Sequence, residues 1–293
     1  MKRISFALLL LLTTLALAAC GGAAEPEAAD TETAPGEQTA AADGLLADIL
    51  ERGVVRVSTD PNYEPQSFLD ESGEFIGCDV AVAREIAARL GVAVEFVTPD
   101  WDIITAGNWA GQWDVSIGSM TVTTARQEVL DFADPPYYYT PAQFAAADGS
   151  GIDTLEDING QTVCVGVSTT YETWLNGAAA ELGLPAESFY AEPPADITII
   201  PLPTDAECPQ SIQSGRQDFQ VFLTSNTVVQ AAIDGGVPIH RVGSAVFSEN
   251  LAAAFDKSGE LDNTSAVQRV MAAPLFAGPP ATATAFLILR GPS

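Results

Sequence analysis

Positive charge is scarce in this chain: 12 Lys and Arg stand against 39 Asp and Glu, for a formal net charge of −27. Such a surface repels a phosphate backbone, so no nucleic acid is expected as a partner. Otherwise the charge speaks for solubility rather than for one binding surface. There is one histidine, His240, and no Ser–His or Cys–His arrangement stands out around it. The four cysteines are not spaced as zinc ligands, and neither a metal nor a cofactor is expected. After residue 20 no segment is long and apolar enough to span a bilayer. Residues 21–43 are mostly Ala, Glu, Thr, Pro and Gly, without one large apolar side chain. They cannot offset their ordering entropy by burial, so 20–43 is read as a tether.

What is present begins with an address. Lys2 and Arg3 precede the apolar run Phe6 to Leu17, which is too short for a comfortable membrane span. Its end, Leu17-Ala18-Ala19-Cys20-Gly21, resembles the bacterial lipoprotein cleavage box. The resemblance implies a signal peptide over 1–19 and lipidation of Cys20. The body would then stand in water, anchored to a membrane through lipid. The remaining 250 or so residues, in a chain that is 47% hydrophobic, are enough for two lobes with cores. An exported chain permits a disulfide. Cys164, on an expected strand, and Cys208, at the start of a helix after a neighbouring strand, are the candidate pair, with connectivity open. Cys78 reads as a buried thiol.

Periodicity organises the rest. Val54–Ser58 reads as a strand, Asp70 to Gly73 as a hairpin turn, and Asp79–Leu90 as a helix that buries Val82, Ile86 and Leu90 and stops at Gly91. Strands follow at 92–97 and 114–117, and Thr124-Ala125-Arg126-Gln127 has the spacing of a capping box. A second series repeats the rhythm: a strand at 162–167, a helix opened by Thr169-Thr170-Tyr171-Glu172 and running to about Leu182, a strand at 197–202, a helix capped at Thr204-Asp205-Ala206-Glu207, and a strand at 219–223. Alternation of strand and helix predicts α/β lobes, each an open mixed sheet flanked by helices. The expected layout is lobe 1 over 44–141, a crossing at 142–148, lobe 2 over 149–239, a return crossing at 240–247 and the remainder of lobe 1 over 248–293. Ligands in such sheets bind beyond the carboxyl ends of the strands, here the cleft between the lobes.

Small hydroxyl residues at a strand exit followed by a rare arginine form a carboxylate pocket: Gly118-Ser119-Met120-Thr121-Val122-Thr123-Thr124-Ala125-Arg126. With Asp60-Pro61-Asn62-Tyr63-Glu64-Pro65, Gly77-Cys78-Asp79-Val80, Trp101-Asp102, Asp131-Phe132, Ser168-Thr169-Thr170 and Gly215-Arg216-Gln217-Asp218, in this order, the chain from about Leu45 to Lys257 resembles the solute-binding proteins of polar amino-acid importers of the ATP-binding-cassette type, solute-binding protein family 3. The resemblance implies a two-lobed fold of the periplasmic-binding-protein type II kind. It implies capture of an amino acid or related small carboxylate by a monomer, and delivery to an ABC permease in the membrane.

Residue by residue, Arg126 matches the arginine that forks onto the ligand carboxylate. Gly118, Ser119 and Thr121 match positions around its carboxylate and ammonium, and Thr169 and Thr170 grip the carboxylate from the second lobe. Tyr63 and Trp101 match the aromatic walls, and Asp60 the reader of the distal group, although Asp60 before Pro61 also suits a turn. Two departures stand out. The family's second-lobe aspartate is replaced by Leu223, with Thr224 as the nearest substitute, and the prolines 274, 279 and 280 would break the family's terminal helix. An enzyme on the same fold, dehydratase-like and using acids such as Asp60, Glu64 and Asp102, and a ligand sensor for a membrane receptor remain alternatives.

Overall fold

The structure is a computed structural model, and it describes residues 44–257. The signal peptide, Cys20, the tether and the departure after Val270 lie outside the described residues.

In chain order the first half contains α1 (Gly44–Arg52), β1 (Val54–Ser58), β2 (Asn62–Tyr63), β3 (Ser67–Leu69), β4 (Phe75–Ile76), α2 (Cys78–Leu90), β5 (Ala93–Val97), α3 (Trp101–Thr105), β6 (Val115–Thr121), α4 (Thr124–Val129) and β7 (Leu130–Phe132). The long strand β8 (Tyr138–Ala147) leads to β9 (Thr162–Gly166), α5 (Thr170–Leu175), α6 (Ala179–Leu182), β10 (Thr198–Leu202), α7 (Glu207–Gln213), β11 (Val221–Ser225) and α8 (Asn226–Asp234). The longest strand, β12 (Ile239–Asp256), returns.

Hydrophobic clusters follow from this pattern in both halves. Val82, Ala83, Ile86 and Ala87 of α2 pack on Val55 and Val57 of β1 and Ile117 of β6, with Leu90 at the edge of the same cluster. Val82 and Ile86 are buried as the four-residue spacing predicts and Leu90 partly so, and fully burying such a side chain contributes roughly 1.5–3 kcal/mol. In the second half Phe144, Trp174 and Phe247 stack, with ring centroids 6.1 and 5.6 Å apart along the chain of contacts. Trp109 and Trp113 are buried against each other, 5.0 Å between centroids. Cys164 on β9 and Cys208 on α7 form a disulfide, while Cys78 is half-buried and burial pushes its thiol pKa up.

One mixed sheet runs through the molecule in the order β10-β9-β11-β8-β12-β6-β1-β5, with β7 also pairing with β12. The β1–β5, β1–β6, β9–β10 and β9–β11 pairs are parallel, whereas β8 and β12 run antiparallel to their neighbours. The two long strands pair with each other from Ile239↔Ala147 to Leu251↔Tyr138. Their register shifts between Val242 and Phe247, opposite Gln143, where β12 carries extra residues. The Gln143 side-chain amide donates to the Val242 carbonyl at 3.0 Å, satisfying the backbone that the bulge leaves over.

Several local expectations are corrected. The helix read from Thr169 to Leu182 breaks at Asn176–Ala178, where Gly177 has φ 76°, leaving α5 and α6. Thr123 and not Thr124 caps α4, its hydroxyl accepting from the Arg126 N–H at 3.2 Å. The box at Thr204–Glu207 does not form: α7 starts at Glu207 without a side-chain cap, and Asp205 turns to Thr224. On α1, Leu46 and Ile49 are buried and Leu45 packs against the core, whereas Leu50 is exposed.

Candidate functional site

A cavity between the halves is lined from the first half by Thr59, Asp60, Tyr63, Trp101, Gly118, Ser119, Thr121 and Arg126 and from the second by Thr169, Thr170, Tyr171, Thr204 and Asp205, with Glu249 of β12 between them. Nine of the ten ligand positions read from the sequence are therefore gathered here. Thr224 is not on the wall. Its hydroxyl donates to the Asp205 carboxylate, and it is Asp205 that faces the cavity.

Strand β6 delivers Gly118, Ser119 and Thr121, and the turn into α4 brings Arg126 back over them. Arg126 is 8% exposed. Its Nη1 donates to the Thr121 carbonyl and its Nη2 to the Ser168 carbonyl, both at 3.0 Å. The guanidinium carbon lies 5.3 Å from the centre of the Trp101 ring. Burial pulls its pKa down to about 10, partly offset by the Glu249 carboxylate, so at neutral pH it remains a cation. Trp101 also joins the halves, its Nε1–H donating to the Ser168 carbonyl at 3.3 Å. On the other side Gly183, with φ 65°, sits so close to Thr124 that a Cβ would overlap the threonine hydroxyl. The halves are closed on each other.

Asp60 accepts the Asn62 N–H at 2.7 Å, so the turn role is real, and it still lines the cavity. Burial raises its pKa. Asp205 is 5% exposed. Burial pushes its pKa up to about 7 against the opposing hydrogen bond from Thr224, and the Glu249 and Asp60 carboxylates add to the rise. Tyr63 has its phenol pKa raised well above the usual value, by burial first and then by Asp205. Three carboxylates thus face one guanidinium.

The hydroxyls expected to serve a ligand carboxylate have protein acceptors instead. Ser119 Oγ donates to Asp79 at 2.7 Å. Thr169 Oγ1 donates to the Gly166 carbonyl at 2.7 Å. Thr121 and Thr170 donate to Glu249 Oε2 at 2.5 and 2.6 Å, and the Tyr171 hydroxyl to Oε1 at 2.6 Å. Thr59 Oγ1 and Thr204 Oγ1 are buried without a hydrogen-bond partner.

Sequence reasoning missed Glu249, Asp205, Tyr171, Thr59 and Thr204. Glu249 had a signal, a lone acid between the apolar Val246-Phe247 and Leu251. Asp205 was absorbed into an expected helix cap. His240 is tied to Asp148 and to the Ile152 carbonyl, at 3.2 and 3.0 Å, away from the cavity wall. Among the described residues no group of His, Cys, Asp and Glu could hold a metal ion, and no helix is long and apolar enough to cross a membrane.

Known proteins share this architecture. An ancestral arginine-binding protein, solved bound to arginine, superimposes with a TM-score of 0.63 at 27% identity, covering 76% of this chain and 92% of that one. The L-cystine-binding protein TcyJ of Escherichia coli (strain K12) is 33% identical over 135 residues, 45% of this chain and 50% of that protein. The L-cystine-binding protein TcyA of Bacillus subtilis (strain 168) is 30% identical over 184 residues, 62% of this chain and 65% of that protein. The match thus spans half to somewhat under two thirds of these relatives' length. The sequence profile of the bacterial extracellular solute-binding proteins, family 3, matches residues 55–270. The chain belongs to the bacterial extracellular solute-binding proteins, family 3.

Proposed function

We propose that this protein is the binding component of an ABC importer and that it captures an amino acid carrying an extra positive charge. The observation that carries the reading is the balance of the cavity: Arg126 alone against Asp60, Asp205 and Glu249, between the aromatic rings of Tyr63, Trp101 and Tyr171. Arg126 keeps N–H groups free beyond its two carbonyl bonds, enough for a charge-assisted fork onto an α-carboxylate. Asp205 takes the place of the family aspartate whose position Leu223 fills, and receives the α-ammonium. Leu223 itself is fully buried in the second half's core. Asp60 reads the distal cation, and Thr59 and Thr204 gain partners from the ligand's polar atoms. The relative named for lysine, arginine and ornithine supports this choice of ligand class, whereas the relatives named for cystine, a diacid without net charge, do not.

The lipid on Cys20 holds the monomer at the membrane, and an ABC permease receives the ligand. The site binds and does not turn over its ligand. Titration calorimetry across the common amino acids tests the reading. Lysine, arginine or ornithine should bind near micromolar, about −8 kcal/mol. Absence of heat with every amino acid would overturn it, and mass spectrometry showing a converted ligand would favour the dehydratase-like enzyme instead. Capture of a signalling receptor rather than a permease from the membrane would favour the sensor.

A further inference from the structure

Glu249 is the least expected group in the cavity. It is 3% exposed and its side chain takes three O–H donors at 2.5–2.6 Å. The donors come from both halves: Thr121 from the end of β6, Thr170 and Tyr171 from the first turn of α5. Register places Glu249 at the seam: it pairs with Thr140 on β8, two residues after Phe247 of the second half's core and two before Leu251, which pairs with Thr121 on β6. Through this one carboxylate Thr121 of the first half is tied to Thr170 and Tyr171 of the second. Arg126 reaches across beside them to the Ser168 carbonyl.

We infer that Glu249 is a built-in carboxylate that takes the hydroxyl donors of the anion-binding wall, clasps the two halves without a ligand, and turns the cavity against acidic ligands. In a two-lobed binder, a group whose contacts to both halves exist only in the closed state shifts the equilibrium toward closure. A carboxylate receiving hydroxyl donors makes stronger bonds than a neutral acceptor, and more so out of water. With Thr121 and Thr170 engaged by Glu249, a ligand carboxylate finds Arg126 but not those two hydroxyls. A second ligand carboxylate would meet Glu249, Asp205 and Asp60, and a like-charge encounter in a closed site strongly disfavours a partner. The clasp stands without the amino-acid reading, whereas the selectivity rests on it.

The test uses the full chain, refolded from denaturant to strip bound ligand, with Glu249→Gln, Thr170→Val and Tyr171→Phe as volume-preserving variants. Small-angle scattering of ligand-free protein reads the clasp. The wild type should show the compact, closed shape, and each variant a larger radius of gyration. An open ligand-free wild type, or the same radius in all four proteins, overturns the clasp. If circular dichroism shows that Glu249→Gln fails to fold, the two hydroxyl variants decide the matter. Calorimetry with L-lysine and L-glutamate reads selectivity. The wild type should prefer lysine by about a hundredfold or more, and Glu249→Gln should narrow that gap by at least about tenfold. An unchanged gap overturns the selective role. If neither amino acid binds the wild type, the proposed ligand class fails, while scattering still decides the clasp.

Discussion

Ser119 Oγ donates to Asp79 Oδ2 at 2.7 Å, a contact between the cavity wall and the buried face of α2. Ser119 has φ 55°, a backbone conformation that residues with side chains seldom adopt. Asp79 fixes it from two directions, directly and through Tyr137, whose hydroxyl donates to Asp79 Oδ1 and accepts the Ser119 N–H, both at 2.9 Å. A fully buried acid on a helix thus shapes the wall of the cavity. Replacing Asp79 with Ala should take the acceptor from the Ser119 and Tyr137 hydroxyls, which keep only the Tyr138 hydroxyl and the Ser119 N–H as partners, and cost about 1–3 kcal/mol, measured by urea unfolding.

The same acid sets a pH dependence. Burial raises the Asp79 pKa from 3.8 to about 6, against the hydrogen bonds of Ser119 and Tyr137. The folded state therefore holds this proton more tightly than the unfolded one. The stability that follows is complete below about pH 4 and is lost as pH rises through 6, up to about 3 kcal/mol. Unfolding midpoints between pH 4 and 7 should show this slope on top of the rest of the titration. Asp79→Asn should remove that share of it.

Asp205 should couple binding to protons. Its pKa of about 7 means that near pH 6 the carboxyl is mostly protonated before the ligand arrives. An ammonium needs the carboxylate, so binding expels a proton and affinity rises as pH climbs toward and past 7. Below that value affinity should fall by up to about tenfold per pH unit. Calorimetry in two buffers of different ionisation enthalpy counts the protons released, and Asp205→Asn should flatten the profile and weaken binding.

Arg126→Lys keeps a cation and loses the fork. A lysine cannot hold the Thr121 and Ser168 carbonyls and a carboxylate together. Each charge-assisted bond contributes roughly 1.5–3 kcal/mol, so affinity should drop by more than about a hundredfold, read by calorimetry.

The Cys164–Cys208 bridge closes a sequence separation of 44 residues. In the chain-entropy picture this stabilises by about 4 kcal/mol. Replacing both cysteines with Ser should lower the unfolding free energy by roughly that amount, and it should also weaken ligand binding, because the Cys208 N–H holds the Asp205 carbonyl at 3.2 Å and the bridge ties the Asp205 segment to β9.

The elements and the first half of the site were legible in the chain itself. Val82 and Ile86 announced α2 through their spacing, and the hydroxyl run ending in Arg126 marked one wall of the cavity, because a helix face and a strand exit are local properties of consecutive residues. Which acids would meet that arginine was not local. Asp205 lies 79 residues beyond it and Glu249 a further 44, and neither sits in a motif that states its partner. Only the antiparallel passage of β12 past β8 and β6 carries Glu249 between the two halves. Only the failure of the helix cap at Thr204–Glu207 frees Asp205 to face the cleft. The sequence by itself determined most of the strands and helices and which cation would line the cavity. The tertiary structure decided the charge of the cavity, because burial and proximity among groups distant along the chain set that charge, and neither exists until the halves come together.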